Sequence, residues 1–392
     1  MTCRVAFLTT HPIQYQVPVF RCLAADAELD FEVLFCQLPS AQQQGDGFGV
    51  EFEWDIPLLE GYRYDVLENV AAKPSLTQYG GCDTPGIGKR IQQGGYDAVV
   101  INGWLVKSCL QGLRACRKLR IPCIVRGEAN DLRQRPAWKR WLQARLVRRY
   151  AACLPIGNAS RDFYLRRGVS AERLFPAPYC VENDRFAAQA EHAAMRREAL
   201  RADWGIDREA VCFLYCGKLI DKKHPLELLQ AFVGAVARGA KAHLLIVGDG
   251  PLRGACEQRI RESQAPVTIT GFLNQSQIVD GYVAADCLVL PSDAGETWGL
   301  VTNEAMACGR PALVSHLAGC SQDLIVGGQT GEVLPFEDWT AWEEALLRWS
   351  GQRTAISEMG RKARQHIAHY TPEIAAAGIK QAVLAVQGRA NR

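Results

Sequence analysis

The sequence has no Cys-x-x-Cys pair, no apolar run near the ~18 residues that a spanning helix needs, and almost no excess of charge of one sign. Each absence removes a class of protein. Its fifteen cysteines are odd in number and scattered, and Cys36, Cys123, Cys153, Cys212, Cys216 and Cys287 fall inside apolar runs. There a reduced thiol behaves as a small hydrophobe, so we expect neither a disulfide framework nor a zinc site, and a reducing, cytoplasmic setting. The start, MTCRVAFLTTHP, has too short an apolar core for a signal peptide. A net charge of +3 is far below that of most nucleic-acid-binding chains, so no nucleic-acid partner is expected.

What is present is a repeated alternation. Apolar runs near residues 5, 31, 97, 121, 153 and 173 are each followed by a polar loop and usually a helical stretch, and the pattern restarts near 211, 243, 267, 287, 311 and 331. Strand and helix alternating twice over predict an α/β chain of two doubly wound parallel sheets in tandem. At 392 residues the chain is long enough for two such domains, each with its own core. The stretch PAPYCVENDRF has two prolines and several polar residues, so we place the boundary there, with domains over 1–182 and 183–370.

The most informative segment is 291–311, PSDAGETWGLVTNEAMACGRP. CLVLPS before it has the length and composition of a buried strand, and TNEAMACG that of a helix closed by Gly309. Glu296 in the intervening loop and Glu304 two turns into the helix then face one crevice at the carboxyl edge of the sheet, where α/β proteins bind ligands. The helix start adds unpaired N–H groups suited to an anion. Two glutamates at this spacing also fit a solvated helix face. The residues around them decide the matter: Pro291, Ser292, Glu296, Gly299, Glu304, Ala305, Met306, Ala307, Gly309 and Pro311 resemble the signature of family 4 of the retaining glycosyltransferases.

That resemblance implies the GT-B architecture, two Rossmann-like domains facing each other across a cleft, with the acceptor on the first and a nucleoside-diphosphate sugar on the second. It also implies that a last helix, over 371–388, braces the first domain. Glu296 would contact hydroxyls of the donor sugar and Glu304 the ribose, with Gly299 and Leu300 at the helix start beside them. FLYCGKLIDKKHP resembles the family's Gly-Arg-Leu, three residues, Lys motif, whose cations grip the diphosphate. Gly217, Lys218 and Lys223 are its counterparts here, with Lys218 in place of arginine, so a point charge replaces a bidentate fork. His224 stands where glycine is usual. VGDGPLRG lacks the glycine spacing of a dinucleotide fingerprint and is similar instead to the family's Val-Gly-x-Gly-Pro turn. Backbone groups of Gly271, Phe272 and Leu273 would read the base.

In the first domain, HPIQYQVPVF resembles a subgroup with an N-terminal His-Pro-x-Gln-Tyr loop, which makes His11 a candidate base or sugar partner. CIVRGEAND resembles that subgroup's Arg-Gly-Asp/Glu loop, which brings Arg126 and Glu128 toward the sugar or phosphate. Residues 133–149, RQRPAWKRWLQARLVRR, hold seven basic residues, two tryptophans and no acid. They fit either a helix on an anionic membrane surface or a solvated helix with core tryptophans. No Asp-x-Asp triplet occurs, so neither a metal clamp nor any cofactor is expected. The sequence thus points to a retaining glycosyltransferase moving a sugar to a glycan, lipid-linked or small-molecule acceptor, as in polysaccharide biosynthesis. The alternatives are a non-catalytic nucleotide-sugar-binding partner subunit and a GT-B nucleotide-sugar epimerase.

Overall fold

Two parallel sheets of six strands each organise the chain, and the computed structural model describes residues 2–390 apart from Asp46, Phe48 and Thr77. The first comprises β1 (Cys3–Thr9), β2 (Leu29–Phe35), β3 (Arg63–Val66), β4 (Ala98–Asn102), β5 (Cys123–Gly127) and β6 (Ala152–Pro155), in the spatial order β3-β2-β1-β4-β5-β6. The second comprises β7 (Val211–Cys216), β8 (Ala242–Val247), β9 (Val267–Gly271), β10 (Cys287–Leu290), β11 (Ala312–Ser315) and β12 (Gly331–Leu334), ordered β12-β11-β10-β7-β8-β9. In each, the chain starts in the middle, winds to one edge, then returns to the middle and winds to the other. The reversals fall between β1 and β4 and between β7 and β10.

The continuous apolar runs arise because both faces of each sheet are covered. Val5 and Phe7 of β1 enter one core layer with Phe31 and Val33, whereas Ala6 and Leu8 enter the opposite layer with Val99 and Ile101. The first of these layers also holds Ala375, Ile379 and Val383 of the helix Pro372–Ala390. That helix packs closely: a Cβ on Gly378 would lie 1.8 Å from the Pro176 carbonyl oxygen.

By packing, the chain divides into two units, the first made of the chain up to Gln43, Pro57–Cys180 and the chain from Tyr370 on. The second takes Val181–His369 together with Gln44–Ile56. Sequence reading assigned 44–56 to the first domain. In the structure the Phe52 ring lies 4.3 Å from that of Phe272, Asn274 Nδ2 donates to the Glu53 carbonyl at 2.7 Å, and Ser276 N donates to Asp55 at 3.1 Å.

Two strand assignments differ from the sequence reading. The run near 173 forms only an isolated bridge, Cys153 to Leu174, because Pro176 and Pro178 have no N–H for a ladder. The edge strand β3 was unforeseen, since RYDV is short and largely exposed. Among the described residues no helix is long and apolar enough to cross a membrane.

Candidate active site

In the second unit, the loops after β7 and β10 leave the sheet on either side of its reversal point, the place where open α/β sheets hold ligands. Lys223 lies on the first loop and Glu296 on the second, and their side chains form an ion pair across the gap. The backbone is tied there too, with Asp293 N donating to the Lys222 carbonyl at 3.0 Å.

Glu296 is held from several sides. Its own N–H donates to Asp293 O at 3.0 Å, and its carbonyl accepts from Gly319 N at 3.1 Å. The latter approach needs glycine, because a Cβ at 319 would sit 1.8 Å from the Thr297 oxygen. Ser292 Oγ lies 3.5 Å from the carboxylate. Burial by itself would raise the carboxyl's pKa; the charge and hydrogen bond of Lys223, with help from Lys222 and Ser292, outweigh that and hold it below its ordinary value. The site therefore contains a fixed anion and a fixed cation in contact.

Glu304 sits one helix turn in, on Leu300–Ala307, and only 8% of it is exposed. Tyr282 Oη donates to its carboxylate at 2.5 Å, and Gln275 adds a second hydrogen bond. Arg185 holds Gln275 through a 2.9 Å bond to its amide oxygen. Burial nevertheless dominates and lifts the Glu304 carboxyl above its ordinary value, outweighing the Tyr282 and Gln275 hydrogen bonds and the charge of Arg185. Tyr282 and Gln275 were not foreseen as site residues. The one signal was a tyrosine among the apolar residues of the helix Ile278–Ala284, since a buried Tyr O–H needs a partner.

Glycines line the neighbouring strand ends. Gly217, Gly248 and Gly271 follow or end β7, β8 and β9, all with positive φ. Gly217 N donates to Val247 O at 2.9 Å, and Gly248 N to Gly271 O at 2.8 Å. A Cβ on Gly248 would stand 1.9 Å from the Gly217 oxygen, so this turn is a packing requirement under the Lys223 loop. His224, where the resembled motif has glycine, takes φ 51°, a left-handed conformation stabilised by packing its ring 4.8 Å from that of Phe336. The Lys218 carbonyl accepts from Tyr215 Oη at 2.8 Å. Gly299 caps the Glu304 helix at φ 106°, with Leu300 as its first residue. The Phe272 ring packs against that of Phe52, tilted by 32°, and Leu273 follows it in the loop after β9.

The first unit gathers the remaining sequence candidates near the carboxyl ends of its strands. His11 follows β1, with Nδ1 2.8 Å from Thr10 Oγ1; burial lowers its pKa to about 4, which leaves the ring neutral at physiological pH. Arg126, at 2% exposure, lies with its guanidinium 4.8 Å above the Tyr179 ring and donates to the Ala177 and Pro178 carbonyls at 3.4 Å. These contacts all lie within its own unit. Tyr179 Oη in turn donates to Glu128 Oε1, and the Tyr15 ring lies 5.1 Å from that of Tyr179. Arg126 and Glu128 are thus joined through Tyr179, a link no spacing in the sequence reveals.

Comparison with known proteins bears on the fold. Residues 196–366 match the family model of the glycosyl transferases group 1, and residues 18–180 that of the glycosyl transferase 4-like domain. The GDP-mannose-dependent alpha-(1-6)-phosphatidylinositol dimannoside mannosyltransferase of Mycobacterium tuberculosis (strain ATCC 25177 / H37Ra) is 30% identical over 131 residues, 33% of this chain and 34% of that protein. The D-inositol 3-phosphate glycosyltransferase of Streptomyces coelicolor is 27% identical over 243 residues, 59% of this chain and 50% of that one. The chain thus spans between a third and a half of these two relatives. Among solved structures, Anabaena HepE in complex with UDP superposes with a TM-score of 0.73 at 16% identity, covering 98% of this chain and 100% of that one. A glycosyltransferase from Rickettsia africae superposes with a TM-score of 0.73 at 12% identity, covering 98% of each chain. These likenesses show the fold, which is GT-B, built of two Rossmann-like domains.

Proposed function

We propose that this protein is a family 4 glycosyltransferase that moves a sugar from a nucleoside-diphosphate donor to a glycan, lipid-linked or small-molecule acceptor, with retention at the anomeric carbon. The observation that carries the reading is the Lys223–Glu296 pair across the reversal point of the second sheet, with buried Glu304 on the adjoining helix. The segment that matches the group 1 model contains all three residues.

The chemistry follows from charge. As the glycosidic bond stretches, negative charge collects on the leaving diphosphate, and a cation fixed beforehand stabilises that state without reorganising. Lys223 supplies it, and Lys218 on the same loop assists. Glu296, kept ionised by Lys223, accepts hydrogen bonds from donor-sugar hydroxyls, and Glu304 accepts those of the ribose. Because the lysines carry the electrostatic work, no divalent metal is required. His11, as a neutral ring, serves as a hydrogen-bond partner to the sugar. Fifteen unpaired thiols suit work in the reducing cytoplasm, as in polysaccharide biosynthesis.

The test is calorimetry with a series of nucleoside diphosphates, then transfer assays with the matching sugar donors, with and without EDTA. The reading expects submillimolar binding of one nucleotide, EDTA-resistant transfer, and a product whose anomeric configuration by NMR equals the donor's. Binding without transfer or donor hydrolysis would leave a partner subunit, and an inverted product would remove retention.

A further inference from the structure

The first unit carries a helix that its own fold leaves almost uncovered. In Ala137–Val147 only Val147 is buried, and residues 137–142 are all exposed. Trp138, Trp141 and Leu142 are 60%, 56% and 49% exposed. Their spacing of three and four places them on one side of the helix, and Arg145, a further turn along, continues the row. Tryptophan is among the costliest side chains to leave in water, so two adjacent exposed indoles beside a leucine mark an interaction surface.

The charges around the row say what kind of partner fits. Arg133, Lys139, Arg140, Arg145, Arg148 and Arg149 are exposed. Among the described residues none of the six forms an ion pair, although nearby Asp131 does so with Arg167. Two of these cations lie against the indoles: Lys139 Nζ is 5.3 Å from the Trp138 ring centre and the Arg145 guanidinium 4.8 Å from that of Trp141. A cation beside an amphipathic ring, next to an aliphatic side chain, is the arrangement suited to the boundary between phosphate headgroups and acyl chains. At 11 residues the helix is about 16 Å long, enough to lie in that boundary and too short to span it. A nucleic acid would satisfy the cations but gives the exposed Leu142 nothing.

We propose that the helix Ala137–Val147 docks on an anionic lipid bilayer, with Trp138, Trp141 and Leu142 entering the headgroup boundary and the flanking lysine and arginines meeting lipid phosphates. The sequence left the two tryptophans open between core and surface; their exposure selects the surface. This inference stands on the helix alone and holds whether or not the protein is a transferase. If it is one, the docking brings the enzyme to lipid-borne acceptors.

The experiment is co-sedimentation of the full chain with vesicles of phosphatidylcholine containing one-third phosphatidylglycerol, and with vesicles of phosphatidylcholine alone. Binding to the anionic vesicles, released by high salt, is expected. The triple variant Trp138→Ser, Trp141→Ser, Leu142→Ser and the quadruple variant Arg140→Gln, Arg145→Gln, Arg148→Gln, Arg149→Gln should each lose about tenfold or more of that binding. Unchanged melting temperatures confirm that both variants fold. Failure of the parent to sediment at low salt, or undiminished sedimentation of the serine variant, overturns the proposal. So does full displacement from the vesicles by equimolar single-stranded DNA, which would point to a nucleic-acid surface. Nucleoside-diphosphate calorimetry on the same variants keeps the two readings apart: a parent that binds vesicles and no nucleotide refutes only the transferase.

Discussion

Lys223 and Glu296 meet across the one place in the second sheet where the strand order reverses, and the lysine holds the buried Glu296 carboxyl below its ordinary pKa. Replacing either alone therefore does two things at once, removing a functional group and stranding its partner.

Lys223→Ala should lower kcat by about a hundredfold or more, the scale seen when a preorganised charge-stabilising group is lost, while donor KM rises less. It should also lower the melting temperature, since Glu296 then lacks its cation. Adding Glu296→Gln to Lys223→Ala should restore stability and leave kcat low. Lys218→Arg should be tolerated. Steady-state transfer and thermal melts together decide, and a kcat within about threefold of the parent would make Lys223 a structural ion-pair partner only.

Glu304 has the opposite linkage. Its carboxyl is raised in the folded chain, so the fold binds that proton more tightly than the unfolded chain does, and the carboxylate becomes a cost as pH rises through the raised value. Glu304→Gln should thus raise the melting temperature of the unliganded protein at neutral pH, and by less at acid pH, where the carboxyl is already protonated. The same change, or Glu304→Ala, should weaken nucleoside-diphosphate binding about tenfold or more, because a charged acceptor for hydroxyls is worth about 1.5–3 kcal/mol. Equal calorimetric affinities would take Glu304 out of the nucleotide site.

His11 should stay neutral across the working range. Burial lowers its pKa from 6.5 to about 4, so the neutral ring is favoured in the fold, and the stability it contributes is lost as pH falls from 6.5 through about 4. Its ring resonances in two-dimensional NMR should not move between pH 8 and about pH 5. A midpoint near 6.5 would show an accessible, chargeable ring.

Gly248→Ala should destabilise the second unit by about 2 kcal/mol or more, from the strained φ of 144° and the clash with the Gly217 oxygen. Denaturant melts measure it. A loss of activity larger than the loss of folded protein would show that the turn also sets the position of the Lys223 loop.

The alternation of apolar runs with polar loops, read from residues 5 to 334, determined every strand but β3, because a strand buried on two faces must be apolar at nearly every position. The segment around Glu296 and Glu304 was likewise legible as a strand, a loop and a helix, since these are local features. Other elements were decided by tertiary structure. β3 forms from RYDV because β2 offers it an edge, and 44–56 joins the second unit through Phe52 and Asp55, partners more than 200 residues away. Periodicity was silent on whether Trp138 and Trp141 are core or surface, because a helix of mixed composition is compatible with either until its neighbours are placed. Electrostatics followed the same division. The sequence supplied two glutamates of the same ordinary pKa; only the fold, by bringing Lys223 to Glu296 and by burying Glu304 beyond what the Tyr282 hydrogen bond offsets, moved them in opposite directions. Charge and burial are properties of distances in space, and those are set when the strands take their order in the sheet.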